Sequence, residues 1–189
     1  MKQLLRRVFE EFDCQASDPE DLTPAAVLVP FYSRNDEPYV LFTKRTETVK
    51  DHKGQISFPG GVRDPSDADL KSTALRETQE ELGIEPQKVE IFGRMSDQPT
   101  ITGYLITPFV GWVEAPLEIE PSPDEIAEVI ELPWSALTAP GVHDLKHYDH
   151  PAGWSGYYHT YTIGDVFIWG ATAMLVNKLE KILKGVKEQ

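Results

Sequence analysis

Three glutamates, Glu77, Glu80 and Glu81, stand at i, i+3 and i+4 in the segment Asp69–Leu82. On a helix that spacing puts them on one face, with Leu75 and Leu82 pointing nearly opposite. Three carboxylates so close repel one another unless something positive is bound among them. Hard oxygen ligands in this arrangement suit Mg²⁺ or Mn²⁺, ions that keep some of their waters and take up phosphate oxygens from a substrate. Arg76 lies four residues before Glu80 and is placed to steady that carboxylate. Just upstream, Gly60-Gly61 lets the backbone approach a metal or a phosphate with no Cβ in the way. Taken alone, two adjacent glutamates on a helix are more often a solvated acidic face, so the functional reading rests on the whole string.

The positive residues point the same way. Lys44, Arg45, Lys50, Lys53 and Arg63 crowd one stretch immediately before the acidic helix, in a chain whose formal net charge is −13. A surface that acidic repels nucleic-acid backbones at long range, which argues against a nucleic-acid partner. It still admits an anionic small molecule where a metal and local cations offset the field. Taken singly, each of these cations also has a plain reading as a solvated strand-end or loop charge. The single cysteine, Cys14, excludes an internal disulfide and a four-cysteine zinc site, and its acidic surroundings make it a poor nucleophile. No apolar run is long enough to span a bilayer, and no secretory signal stands at the start, so no membrane association is expected and the cytoplasm is the simplest location. His143-Asp-Leu-Lys-His147 superficially resembles the H-E-x-x-H zinc motif, but Pro140-Gly141 before it and Pro151 after it disfavour the helix that motif needs, and Asp replaces the Glu base.

The segment Arg76-Glu77-Thr78-Gln79-Glu80-Glu81-Leu82-Gly83-Ile84 resembles the second half of the Nudix box, G-x5-E-x7-R-E-U-x-E-E-x-G-U with U aliphatic, except that Thr78 occupies an aliphatic position. The first half departs from the pattern. Arg76 lies fifteen residues after Gly61, one more than the box asks, and Ala68 stands where the first Glu falls. A one-residue insertion with Asp67 or Asp69 replacing that Glu is the simplest repair. The resemblance implies a divalent-metal-dependent hydrolase of a diphosphate linkage, with Glu77, Glu80 and Glu81 as the metal shell and the Gly60 carbonyl as an extra ligand. It also implies a further acid from a later loop, for which Glu125 in Pro123-Asp124-Glu125-Ile126 is the candidate, as ligand or base. Glu77, Glu80 and Glu125 are thus the candidate catalytic groups.

The stretch Leu41-Phe-Thr-Lys-Arg-Thr-Glu-Thr-Val-Lys-Asp-His-Lys-Gly-Gln-Ile-Ser-Phe-Pro-Gly-Gly61 is similar to the signature of the coenzyme A branch of that family, L-L-T-x-R-S-x3-R-x3-G-x3-F-P-G-G, and Ile168-Trp169-Gly170-Ala171-Thr172-Ala173 is similar to a second part of it. The substrate implied is coenzyme A or an acyl derivative, cleaved to 3′,5′-ADP and 4′-phosphopantetheine. Lys44, Arg45, Lys50 and Lys53 would then meet its extra phosphate, with Gly61 and Arg76 also at the substrate. The alternatives are a diphosphatase for ADP-ribose or another nucleoside diphosphate derivative, weakly marked by Pro99, and a non-catalytic ligand-binding module on the same fold. Some members of the family pair, so a homodimer is compatible with the resemblance.

The elements needed to position these residues are read as one domain over 1–189. Leu4, Leu5, Val8 and Phe12 recur at helical spacing in Met1–Phe12. Ala25–Tyr32 and Pro38–Arg45 read as strands joined by the turn Arg34-Asn35-Asp36-Glu37. Gln55–Phe58 is a short strand, and Asp69–Leu82 the clearest helix, stopped by Gly83. Val89–Met95, Tyr104–Glu114 and Ile126–Leu132 are strand-like, and Pro133-Trp134 opens a short helical turn. His143–Tyr158 is expected to be a long loop, with two short strands in Tyr158–Trp169 and a closing helix over Gly170–Lys184. Trp112, Trp134, Trp154 and Trp169 are expected in the core or a pocket wall. The sum is an α/β (α+β) sandwich, with a mixed central sheet between helices.

Overall fold

The computed structural model describes residues 1–12, 14, 21–46, 54–149 and 155–185. Two long strands start the central sheet, β1 (Thr23–Arg34) and β2 (Glu37–Arg45), paired antiparallel from Phe31↔Val40 to Arg34↔Glu37. Their connection, Asn35-Asp36, has positive φ at both residues, 51° and 64°. Both angles suit a two-residue hairpin, and Asn and Asp tolerate them. Beyond Val40 the two strands part. The segment that follows fills the gap, with β3 (Ile56–Ser57) on β2 at Thr43↔Ser57 and β4 (Gly60–Val62) on β1 at Val27↔Gly60. The two glycines that follow Pro59 are therefore themselves part of a strand, set as a wedge in the sheet.

On the other side of β1 lies β7 (Tyr104–Val113), running parallel to it, and β5 (Val89–Arg94) continues the sheet antiparallel to β7. The two-residue β6 (Gln98–Pro99) pairs with the start of β7, and β8 (Ile126–Pro133) with the free side of β2. The sheet is mixed, as expected. Side chains alternate across it, and each set meets a different helix layer. Ala26, Leu28 and Phe109 pack with Ala74 of helix α2 (Leu70–Leu82) on one face. Val29, Phe31, Val40, Phe42 and Val110 pack on the other with Leu5 and Phe9 of α1 (Lys2–Glu11) and with Val176 and Leu179 of α4 (Gly170–Leu183). Helix α3 (Trp134–Leu137) is a single turn after β8.

One expectation is overturned. The described residues of His143–Tyr158 are strands: β9 (His143–Asp149) pairs with β10 (Ser155–Ile163), which pairs with β11 (Val166–Trp169), to give a second, three-stranded antiparallel sheet. Every residue of β9 is exposed. With neither face of β9 buried, no apolar-polar alternation arises in its sequence, and a pattern-based reading has nothing to detect. Strand geometry also sets His143 and His147 about 13 Å apart along the chain, too far for one ion. Trp112 and Trp134 are buried as expected, whereas Trp169 is 45% exposed. Trp154 lies outside the described residues.

Candidate active site

The wedge and α2 together build the site. Asp69 starts α2 by accepting a hydrogen bond from the Ser72 amide at 2.7 Å, and Gly83 ends it in the left-handed conformation, φ 71°. Both caps fix the helix register, and with it the directions of its glutamates. Thr78, the odd residue in an aliphatic position, is fully buried and donates its hydroxyl to the Ala74 carbonyl at 2.7 Å. The hydroxyl is thus satisfied within the helix and its methyl is left to pack.

The three glutamates differ sharply in environment. Glu81 is almost wholly buried. Its Oε2 accepts from the Gly60 amide at 3.3 Å, and its Oε1 lies 3.5 Å from Arg45 Nη1. Burial pushes its carboxyl up to about 8, against the opposing pull of Arg45 and the Gly60 amide. Glu77 is partly buried, and desolvation raises it too, opposed by Arg76. Glu80 is the most exposed of the three and pairs with Arg76 Nη1 at 2.8 Å. Glu125 sits in an exposed turn, yet its charge reaches both Glu77 and Glu81. That turn is tied to the end of β2, since the Thr46 amide donates to the Glu125 carbonyl at 2.9 Å.

The two glycines are demanded by space. A Cβ on Gly61 would fall 2.5 Å from the Glu77 carboxylate carbon, and one on Gly60 would fall 2.3 Å from the Ala26 carbonyl oxygen. The wedge therefore lies directly against the carboxylates, and only glycine allows it.

Arg76 is the hub of the ion pairs. Its Nε and Nη2 meet Asp67 Oδ1 and Oδ2, both at 3.0 Å, a two-point contact. Its Nη1 reaches Glu77 and Glu80 at 2.8 Å each, and Nη2 also reaches the Val62 carbonyl at 3.3 Å. Asp67 in turn accepts from the Asp64 amide and the Thr73 hydroxyl, and the Arg76 guanidinium holds its carboxyl well below the usual range. Of the two aspartates that could stand for the missing box glutamate, Asp67 makes the contact to Arg76, while Asp69 caps the helix.

The basic cluster is divided by the strand it lies on. Arg45 faces Glu81, and its Nε is buried without a hydrogen-bond partner among the described residues. Lys44, the adjacent residue on β2, points to the opposite face and pairs with Glu128 at 3.6 Å. Lys50 and Lys53 lie outside the described residues. A cavity of about 610 Å³ bounded by Tyr32, Arg34, Trp112, Leu117, Ile119 and Glu131 opens at the other end of β1. It is roughly 17 Å along the strand from Val27, the partner of Gly60, and so belongs to a different place from the carboxylates.

The donor set fits a hard divalent ion. Among the described residues, no three acidic, histidine or cysteine side chains close into a ready-made cation cage. An open half-shell is what Mg²⁺ or Mn²⁺ uses, since such ions fill the remaining positions with water and substrate oxygens. Glu81 offers a buried carboxylate whose one paired cation among the described residues stands at 3.5 Å, an arrangement that a bound ion completes.

Comparison with known proteins bears on the same residues. The NUDIX domain family matches residues 22–153. The chain is 40% identical over 159 residues to the protein named Uncharacterized Nudix hydrolase NudL from Cronobacter sakazakii, covering 82% of this chain and 80% of that one. It is 38% identical over 156 residues to the protein of the same name from Photorhabdus laumondii, covering 82% of each. Among solved structures, a MutT/nudix family protein from Enterococcus faecalis aligns with a TM-score of 0.59 at 15% identity, over 97% of this chain and 70% of that one. The Nudix hydrolase RenU from M. smegmatis aligns with a TM-score of 0.52 at 21% identity, over 61% and 73%. At such identities the structures show a shared fold.

Proposed function

The chain belongs to the Nudix family of hydrolases, which act on phosphoric anhydrides and generally use divalent metal ions, and we propose that this member cleaves the diphosphate of coenzyme A, free or acylated, to 3′,5′-ADP and 4′-phosphopantetheine, with Mg²⁺ or Mn²⁺ as cofactor. The observation that carries the substrate reading is the stretch Leu41–Gly61. It matches the coenzyme A signature at every spacing, and its Arg45 faces Glu81.

In this reading Glu77, Glu80 and Glu81 would hold the ion, with the Gly60 carbonyl as a further ligand. A divalent ion bound there supplies positive charge that polarises the diphosphate and makes a bound water more acidic. Arg76 braces Glu77 and Glu80 through its anchor on Asp67, so the carboxylates are set before substrate arrives. Gly61 gives the diphosphate room against Glu77. Water adds to one phosphorus, the bridging P–O bond breaks, and Glu125, exposed and within electrostatic reach of the pair, takes the proton. Arg45, Lys50 and Lys53 supply the positive charge for the 3′-phosphate, while Lys44, on the opposite face of the strand and paired with Glu128, drops out of the set. The chain acts as a single domain in the cytoplasm. Among the described residues, no helix is long and apolar enough to cross a membrane.

The test is chromatography of the products from a panel of diphosphates with Mg²⁺ and with Mn²⁺. Coenzyme A is expected to be cleaved fastest, to the two products named. Faster turnover of ADP-ribose would refute the substrate and leave the family untouched.

A further inference from the structure

The second sheet carries an aromatic face that the reaction as described does not use. Trp169 lies opposite Thr160 and Phe167 opposite Thr162. Two residues apart on one strand, their rings share a face of the sheet, and both are exposed, at 45% and 42%. The face is not a random scatter of apolar residues. Thr160, opposite Trp169, is fully buried, and the ammonium of Lys146 reaches across from β9 to lie 5.3 Å from the Phe167 ring centre. Among the described residues no carboxylate pairs with Lys146. The face therefore offers two flat π-surfaces and a positive charge, in a chain that is otherwise strongly acidic.

Its position links it to the diphosphate site. β11 packs against β3, and β3 runs through Phe58-Pro59 into Gly60-Gly61. The three residues from Ser57 to Gly60 extend at most about 10 Å, so the strand that carries Trp169 lies against the segment that enters the diphosphate site.

We infer that Trp169, with Phe167 beside it, is the platform on which the planar base of the substrate's nucleotide half stacks, with Lys146 drawing the anionic ligand to that face. The inference rests on the reading of the substrate as a nucleotide diphosphate, but not on coenzyme A in particular. Stacking tolerates any base, because each presents a π-face, and it leaves selection among diphosphates to the charged residues near β2.

The experiment is calorimetric binding of adenosine 3′,5′-bisphosphate and of ribose 5-phosphate, which lacks the base, to the wild type, Trp169→Ala, Trp169→Phe and Phe167→Ala. Trp169→Ala is expected to weaken the nucleotide by about tenfold or more, as loss of a base-stacking ring does. Trp169→Phe should keep most of the affinity, and ribose 5-phosphate should bind alike to all. Circular dichroism establishes that each variant is folded. Should Trp169→Ala fold poorly, the milder pair decides: a loss in Phe167→Ala with retention in Trp169→Phe supports the platform. Unchanged nucleotide affinity in folded Trp169→Ala overturns the inference, even if coenzyme A is cleaved. If coenzyme A is not cleaved but nucleotide affinity still depends on the ring, the platform stands and the substrate reading falls.

Discussion

Replacing Glu81 by Gln should make the ion-free protein more stable and the enzyme inactive. The Glu81 side chain is only 1% exposed, and burial raises its carboxyl from the ordinary 4.5 to about 8. Between those values the folded chain keeps a proton that the unfolded chain has released, so stability falls as pH rises through the window. A change in proton affinity from 4.5 to about 8 corresponds to a ceiling of about 5 kcal/mol. Relaxation and water penetration reduce this, leaving an expected difference of about 2–3 kcal/mol. Urea unfolding in the presence of a chelator, at about pH 5 and again at about pH 8.5, measures it. Wild type should lose stability across that interval relative to Glu81→Gln, which has no carboxyl to titrate there, and subtracting the variant removes the contribution of the histidines. Added Mg²⁺ or Mn²⁺ should restore wild type at the higher pH by binding only the folded form. The same variant should lose about a hundredfold or more in kcat/KM, because a ligand charge is gone. Parallel pH profiles for wild type and variant, within about 0.5 kcal/mol, would refute the claim that this buried charge is held at the expense of the fold.

Asp67→Asn breaks the two-point contact with Arg76 and should cost about 2–4 kcal/mol in urea unfolding, whereas Asp69→Ala removes a helix cap and should cost about 1 kcal/mol; equal losses would mean that Asp67 is not the anchor. Gly61→Ala puts a methyl group onto the Glu77 carboxylate, and should lower kcat/KM by about a hundredfold through misplacement while the protein still folds, as read by steady-state rates and circular dichroism together. Dephospho-coenzyme A should be a poorer substrate than coenzyme A by about ten- to a hundredfold in kcat/KM, and that ratio should shrink in Lys50→Ala. A wild type that handles both equally would remove the 3′-phosphate from the reading.

What was legible in the sequence follows from which forces write patterns. The face shared by Glu77, Glu80 and Glu81 follows from helix periodicity alone, and the stop at Gly83 from backbone chemistry, so α2 could be read to within a residue, although the cap made by Asp69 was not. The hairpin of β1 and β2 was legible for the same reason, because Asn35-Asp36 suits the only backbone its turn allows. Tertiary contact writes no such pattern. Nothing in the spacing chooses between Asp67 and Asp69 as the partner of Arg76, since one is set by a loop that must fold back and the other by the helix start. Nor does the sequence separate Lys44 from Arg45, which look like one basic cluster until a strand sends them to opposite faces.

The parting of β1 and β2 beyond Val40 is the deepest case. A sheet with those strands paired to their ends would leave Gly60-Gly61 in an ordinary loop on its rim. Because they part, the glycines enter the sheet, and Glu81, which would be a solvated acid on a bare helix, is buried against the Gly60 amide. Burial is what raises its proton affinity and what makes a divalent ion the fitting neighbour. The burial of that acid is therefore not a property of the helix spacing. It is imposed by a wedge whose sequence, Phe58-Pro-Gly-Gly, carries the one unmistakable mark that something must come close: two adjacent residues without side chains, facing the carboxylates of Glu77 and Glu81.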